Sequence, residues 1–196
     1  RDLVRSRGLG DVYKRQAFIR EKVPMTKEEI RHVSICKLHL KSDSVLYDVG
    51  SGTGSIAVEA ASLSDDMEVY AIEQKENAVQ LITQNKEKHG LENIHVINAK
   101  APDGMDNLPV PTHAFIGGSS GNLKEIIEAL KAKNPHIRIV INAISMETIC
   151  EIKEILSAYD VKNEDIVQLQ VSRSKQIGHY HLMQAENPVW ICSFEF

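Results

Sequence analysis

The chain has 196 residues, a formal net charge of −4 and 42% hydrophobic residues, which is ordinary for one globular domain with a sizeable core. This charge argues against a nucleic-acid partner, because such proteins usually carry a strongly basic face. No apolar run approaches the roughly 18 residues of a membrane span, and no signal peptide is visible. We therefore expect a cytoplasmic protein with no membrane partner.

The cysteines agree with that compartment. Cys36, Cys150 and Cys192 are odd in number and far apart, and no two form a CxxC motif. Each lies in an apolar stretch, so we expect buried thiols in a reducing environment.

The first 16 residues differ from the rest of the chain. They have neither helical nor strand periodicity and resemble translated adapter sequence found at the ends of unrelated gene fragments. They hold five of the 23 basic and two of the 27 acidic residues, so residues 17–196 alone have a net charge of −7. We expect residues 1–16 to be a non-native segment and residues 17–196 to form a single domain.

The first predicted helix begins after a candidate capping box. Thr26 is followed three residues later by Glu29, the spacing at which a threonine N-cap and a glutamate satisfy free N–H groups. The helix should end near residues 41–43.

A strand over residues 44–49, a tight turn from Gly50 to Gly54 and a helix over about 53–63 follow. The glycines let the backbone turn sharply and a ligand approach closely, and the helix start offers free N–H groups. Asp48 lies two residues before the first glycine. A carboxylate there is awkward for a phosphate, but it suits a positively charged ligand such as S-adenosylmethionine.

A dinucleotide site is the competing interpretation. Its turn reads GxGxxG, whereas the spacing here is GxGxG, with no glycine at position 55. Both kinds of site place an acid after the second strand to hold ribose hydroxyls, and Glu73 fills that position.

The remaining pattern alternates strands and helices. Strands are predicted near residues 67–72, 94–97, 112–116 and 137–142, and helices near 75–88, after 121 and at 146–158. This alternation predicts a parallel sheet with helices on both faces and ligands at the carboxyl ends of the strands. Two late strands, near 165–172 and 188–196, lack a helix between them and should pair antiparallel.

The chain resembles the decarboxylating cobalt-precorrin-6B methyltransferases, which act at carbon-15. The resemblance runs from Ala17 to the C-terminus. It is carried by residues 23–31, 48–54 and 71–73, Ala101-Pro102, the loop at 115–121 and the closing 187–189.

The resemblance implies a class I S-adenosylmethionine-dependent methyltransferase: a Rossmann-like α/β fold with a seven-stranded sheet and an extra N-terminal helix. The implied reaction methylates carbon-15 of cobalt-precorrin-6B, removes carbon dioxide from the carbon-12 acetate and gives cobalt-precorrin-7 in anaerobic cobalamin biosynthesis. A separate enzyme should then methylate carbon-5.

The resemblance also implies where S-adenosylmethionine binds. The implied cofactor contacts are Thr26, Gly50, Ser51, Gly52, Thr53, Gly54, Glu73 and Ala101. Many members have an acid before that alanine, but this chain has Lys100, so backbone groups near Ala101 would have to contact the adenine.

The implied tetrapyrrole is a large anion, so its site should contain cations. One candidate group is Arg173, Lys175, His179 and Tyr180, in the long connection between the last strands. A second is Arg20, Lys22, Lys27 and Arg31, around the first helix. The loop residues Gly117, Gly118 and Ser119 should let their backbone approach the substrate. We identify no catalytic residue.

Several alternatives stay open. Two histidines, His179 and His181, without a third ligand nearby seldom hold zinc, so we expect no metal site.

An RNA or protein methyltransferase would share the cofactor, although the Asn-Pro-Pro-Tyr of amino-methylating nucleic-acid enzymes is missing after strand four. A nicotinamide-dependent oxidoreductase is disfavoured by the turn, and a non-catalytic binding module is not excluded. The late apolar residues Val189, Trp190, Ile191 and Phe194 are candidates for a homo-oligomer interface.

Overall fold

A computed structural model describes residues 18, 19, 21 and 23–196. The segment 1–16, Arg20 and Lys22 lie outside these described residues. Our expectation that residues 1–16 are non-native therefore stays a prediction.

Helices and strands alternate along the described part of the chain. The helices are α1 (Glu28–Leu38), α2 (Ser55–Ala61), α3 (Glu76–His89), α4 (Leu123–Lys133) and α5 (Met146–Ala158). The strands are β1 (Val45–Val49), β2 (Glu68–Glu73), β3 (Ile94–Asn98), β4 (His113–Ile116), β5 (Arg138–Ala143), β6 (Lys162–Leu169), β7 (Ser172–Ile177), β8 (Tyr180–Ala185) and β9 (Val189–Glu195). Of these helices, none is long and apolar enough to cross a membrane.

Seven strands form one sheet in the order β3-β2-β1-β4-β5-β9-β6. The pairs among β1 to β5 are parallel, whereas β9 runs antiparallel between β5 and β6. The predicted parallel sheet and the predicted antiparallel pair at its end are both confirmed.

Helices cover both faces of this sheet. One apolar layer packs α4 and α5 against the sheet through residues such as Ile127 and Ile155, and the other packs α1, α2 and α3 through residues such as Leu38 and Ile82. The central strand β4 is buried along its whole length. Burial on both faces explains why the central strands are continuous apolar runs without alternation.

The predicted capping box is wrong. Helix α1 begins at Glu28, its N-cap is Lys27, and no side chain caps it. The side chain of Glu29 instead forms an ion pair with Arg173. The Thr26 carbonyl accepts a hydrogen bond of 3.0 Å from the Arg31 guanidinium.

The connection between β6 and β9, which we expected to be long and free of helix, is a β-hairpin. Strands β7 and β8 pair antiparallel from Ser172 with Ala185 to Ile177 with Tyr180. Every residue of β8 is exposed. No face of the hairpin is buried, so its sequence lacks the alternation that predicts a half-buried strand.

The expectation for the cysteines is wrong at two positions. Cys36 and Cys150 are exposed, whereas Cys192 is buried in β9. Burial raises the pKa of the Cys192 thiol to about 12, so this thiol is protonated at neutral pH.

Arg31 is a structural residue of α1. Its guanidinium is fully buried, pairs with Glu59 of α2 and lies 5.0 Å above the Phe18 ring. We expected this arginine among the cations that bind substrate, but its charge pairs with Glu59 inside the core.

We predict that Arg31→Met lowers the free energy of unfolding by about 3–5 kcal/mol, because it removes the guanidinium that is hydrogen-bonded to the buried Glu59 carboxylate and leaves that carboxylate with His32, whose Nε2 lies 3.7 Å away. Lys37→Met is the control. Lys37 is on the same helix as Arg31, and its ion pair with Asp165 of β6 is partly exposed. Loss of this ion pair should cost about 1 kcal/mol or less. Urea denaturation measures both. The double variant Arg31→Met/Glu59→Leu should recover part of the loss, and equal costs for the two single variants would contradict the prediction.

Candidate active site

A cavity of about 550 Å³ lies at the carboxyl edge of the sheet. It is lined by the loops after β1 to β5, by the start of β9 and by the segment 23–27. The volume is within the range of ligand sites, about 300–1,000 Å³. The cavity crosses the reversal of strand order between β1 and β4, where open α/β sheets bind ligands.

Most of the predicted site residues line this cavity. They are Thr26, Gly50, Ser51, Gly52, Glu73, Ala101, Gly117, Gly118 and Ser119. Thr53 and Gly54 do not line it: Thr53 is buried behind the turn, and Gly54 is the N-cap of α2.

Glu73 ties the end of β2 to the glycine turn. Its Oε2 accepts a hydrogen bond of 2.9 Å from the Gly52 backbone N–H, and its Oε1 accepts one of 2.9 Å from the Lys75 N–H. The residue is almost fully buried yet lines the cavity. Since a carboxylate oxygen can accept more than one hydrogen bond, both oxygens keep acceptor capacity for a ligand.

Asp48 lies beneath the turn and does not line the cavity. It is fully buried. Its Oδ2 accepts hydrogen bonds of 2.6 Å from the Ser51 hydroxyl and 3.1 Å from the Ala57 N–H. Our interpretation that this carboxylate faces a positively charged ligand is therefore wrong; its role is to hold the turn and the start of α2.

Burial raises the pKa of Asp48 to about 7. The hydrogen bonds from Ser51 and Ala57 oppose this rise, and the nearby Glu73 charge adds to it. Its Oδ1 accepts no hydrogen bond from the described residues, so one side of the carboxylate is uncompensated.

The turn after β1 and the loop after β4 approach each other closely. Gly50 has a φ of +69°, and a Cβ there would lie 2.5 Å from the Gly118 carbonyl oxygen, so only glycine fits. Gln74 donates a hydrogen bond of 2.8 Å to the Ser120 hydroxyl, which joins the loops after β2 and β4.

The segment 23–27 forms one wall of the cavity. A Cβ on Gly52 would lie 3.2 Å from the Pro24 carbonyl oxygen, so this wall packs on the turn. Asn85 of α3 helps to hold the chain before it. The Asn85 amide exchanges hydrogen bonds of 2.7 and 2.8 Å with the Ile19 backbone and donates one of 2.8 Å to the Thr53 carbonyl.

The hairpin residues predicted to bind substrate do not line the cavity. Arg173, near the hairpin base, pairs with Glu29 and lies 3.7 Å from Glu186. His179 and Tyr180 are at the tip of the hairpin. Since an extended strand rises about 3.4 Å per residue, the tip is about 17 Å from Arg173. Their role in substrate binding stays a prediction.

Sequence reasoning missed several residues that line the cavity. Gln74, Asn142, Ile144 and Asn187 all belong to it. Gln74 and Ile144 directly follow β2 and β5, so their position after predicted strands was the available signal. Among the described residues, no group of three or more His, Cys, Asp or Glu side chains could hold a metal ion.

Comparison with known proteins gives a consistent result. Residues 16–195 match the family described as "Precorrin methyltransferase domain". A probable cobalt-precorrin-6B C(15)-methyltransferase (decarboxylating) of Methanocaldococcus jannaschii is 39% identical over 90% of this chain and 93% of its own. The cobalt-precorrin-6B C(15)-methyltransferase (decarboxylating) of Salmonella typhimurium is 35% identical over 91% and 93%.

Solved structures agree with these relatives. A precorrin-6Y C5,15-methyltransferase from Geobacter metallireducens has a TM-score of 0.87 and 32% identity, covering 93% of this chain and 95% of its own. A precorrin-8W decarboxylase from Methanobacterium thermoautotrophicum has a TM-score of 0.83 and 31% identity, covering 91% and 96%.

The raised pKa of Asp48 predicts a pH dependence of stability. The folded value of about 7 lies above the unfolded value of about 3.9. Protonation of Asp48 therefore stabilises the fold fully below pH 4, and this contribution is lost as the pH rises through 7. We expect the wild type to lose about 2–3 kcal/mol of unfolding free energy between pH 5 and pH 8 that Asp48→Asn does not lose.

Urea denaturation at the two pH values measures this difference. Asp43→Asn, at an exposed acid before β1, is the control and should keep the wild-type pH dependence. If Asp48→Asn also keeps it, Asp48 is ionised in the folded protein at pH 5.

Proposed function

The chain belongs to the precorrin methyltransferase family, and we propose that it transfers a methyl group from S-adenosylmethionine to carbon-15 of cobalt-precorrin-6B while carbon dioxide leaves the carbon-12 acetate. The class I methyltransferase fold predicted from the sequence is confirmed by the family's solved structures. The observation that carries the proposal is the position of Glu73 and the glycine turn in one cavity at the carboxyl edge.

The residues present fit S-adenosylmethionine. The Glu73 carboxylate faces the cavity with acceptor capacity for ribose hydroxyls. The backbone of Gly50 and Gly52 lets a ligand approach without a Cβ in the way. On the far side of Glu73 the wall is made by Ala99, Lys100 and Ala101, so backbone groups there would contact the adenine.

When bound, S-adenosylmethionine supplies an electrophilic methyl group. The contribution of this chain is to hold the carbon nucleophile in line with that methyl, because alignment can supply much of the rate of such a reaction. Apolar residues such as Ile30, Phe115 and Val189 line the cavity and give a bound ligand apolar contacts. In the substrate, the bond to the departing carboxylate breaks, carbon dioxide leaves, and the electron pair of that bond enters the conjugated ring. That pair would replace the one with which carbon-15 bonds to the methyl group as the methyl–sulfur bond breaks.

The cofactor assignment predicts the effect of Glu73→Ala. Loss of a hydrogen bond to a charged group costs about 1.5–3 kcal/mol, so affinity for S-adenosylmethionine should fall roughly tenfold to a hundredfold. Glu76→Ala, at an exposed acid in the first turn of α3, is the control and should bind like wild type. Isothermal titration calorimetry measures the affinity of both variants for S-adenosylmethionine. Unchanged binding by Glu73→Ala would contradict the assignment of Glu73 to the cofactor.

The proposed reaction is tested by incubating the protein with S-adenosylmethionine and cobalt-precorrin-6B. Methyl incorporation and carbon dioxide release should occur together, because both belong to one conversion. Mass spectrometry of the tetrapyrrole and trapping of labelled carbon dioxide measure the two. If S-adenosylmethionine binds but neither product forms, the methyl acceptor is another molecule.

A further inference from the structure

The cavity is wider than the cofactor site. From Glu73 after β2 the lining continues past β1 and β4 to Asn142 and Ile144 at the end of β5, and then to Val189 at the start of β9. With neighbouring strands about 4.8 Å apart, the step from β2 to β5 is about 14 Å. A ligand held by Glu73 and the glycine turn therefore leaves the β5–β9 half of the cavity for a second molecule.

This second half combines an apolar surface with a cation. Ile144 is 74% exposed although it lines the cavity. A single exposed isoleucine is ordinary on a protein surface. Ile144, however, lines the cavity, where it offers an apolar contact to a ligand. Lys27, at the end of the wall formed by residues 23–27, lines the same cavity.

Lys27 is held next to β9 by Glu186. Its Nζ lies 3.0 Å from Glu186 Oε2, and the Arg173 Nε lies 3.7 Å from Oε1 of the same glutamate. One carboxylate is thus shared by two cations. An ammonium group has three donors, so Lys27 keeps donors for a ligand.

The charge of the lining favours an anion. Among the described residues that line the cavity, three are lysines, namely Lys27, Lys75 and Lys100, and the one acid is Glu73. The cavity lining is therefore more basic than the chain as a whole, whose formal net charge is −4.

We infer that the β5–β9 half of the cavity is the tetrapyrrole subsite, with Ile144 against the face of the ring and Lys27 bound to one of its carboxylates. The inference rests on the proposed function, because it takes its ligand from there. It assigns the substrate cation to the N-terminal end of α1 rather than to the hairpin.

The first test compares Ile144→Glu with Val110→Glu. Val110 is also an exposed apolar residue, 58% exposed, but it precedes β4 and so lies at the opposite edge of the sheet. A glutamate at position 144 removes apolar contact and repels a polyanion. Binding of cobalt-precorrin-6B, followed by its visible absorbance with no S-adenosylmethionine added, should weaken at least about tenfold in Ile144→Glu and stay unchanged in Val110→Glu.

The second test compares Lys27→Met with Lys37→Met. The two lysines are similarly exposed, and each pairs with one acid, but Lys37 does not line the cavity. Lys27→Met should weaken tetrapyrrole binding about tenfold and raise KM with little change in kcat, whereas Lys37→Met should do neither. S-adenosylmethionine affinity, measured by calorimetry, should be unchanged in all four variants.

The outcomes separate the inference from the proposed function. A wild-type protein that turns over cobalt-precorrin-6B, with Ile144→Glu and Lys27→Met behaving like their controls, overturns the subsite alone. A wild-type protein that binds S-adenosylmethionine but does not bind cobalt-precorrin-6B overturns the proposed function, and the subsite loses its ligand with it.

Discussion

Two carboxylates from adjacent strands hold the glycine turn, and the whole site depends on that restraint. Asp48 holds the turn from below through Ser51, and Glu73 holds it from the side through Gly52. A glycine-rich segment has many accessible conformations of its own. Because both acids stand at the ends of paired parallel strands, the register of the sheet decides the shape of the turn.

The restraint spreads from the turn to the rest of the cavity. The fixed backbone at Gly50 determines how close the loop at Gly118 can come, and that at Gly52 supports the wall at Pro24. The same glutamate that supports the turn also faces the ligand cavity. In our proposal, folding and ligand binding therefore use one set of contacts, and much of the cavity lining follows directly after predicted strands.

Much of the fold could be predicted from the sequence because the central strands are buried on both faces and read as continuous apolar runs. Gly90 was equally informative, because a glycine just after a helical pattern is a common signal for the end of a helix, and Gly90 ends α3 with a φ of +64°. The hairpin β7–β8 could not be predicted, since neither face is buried. Cys36 and Cys150 lie in apolar stretches but on outward positions, which local composition does not reveal.

The site could be predicted only in part, for a similar reason. Glu73 and the glycines are marked by their spacing from a strand, which is a local property. Whether a cation is free to bind a ligand depends on partners that are distant in the sequence. Arg31 pairs with Glu59, 28 residues away, and Arg173 pairs with Glu29, 144 residues away. A sequence shows that these cations exist, but not which of them are already paired.

The insertion of β9 between β5 and β6 has a consequence for the order in which the chain can assemble. Among the described strands, β6 pairs with β9 alone, and β9 follows both of its neighbours, β5 and β6, in the sequence. Until β9 is in place, β5 is an open sheet edge, the kind of surface that attracts other chains. A partly folded chain in which β1 to β5 have paired but β9 has not joined them is thus prone to aggregate through β5.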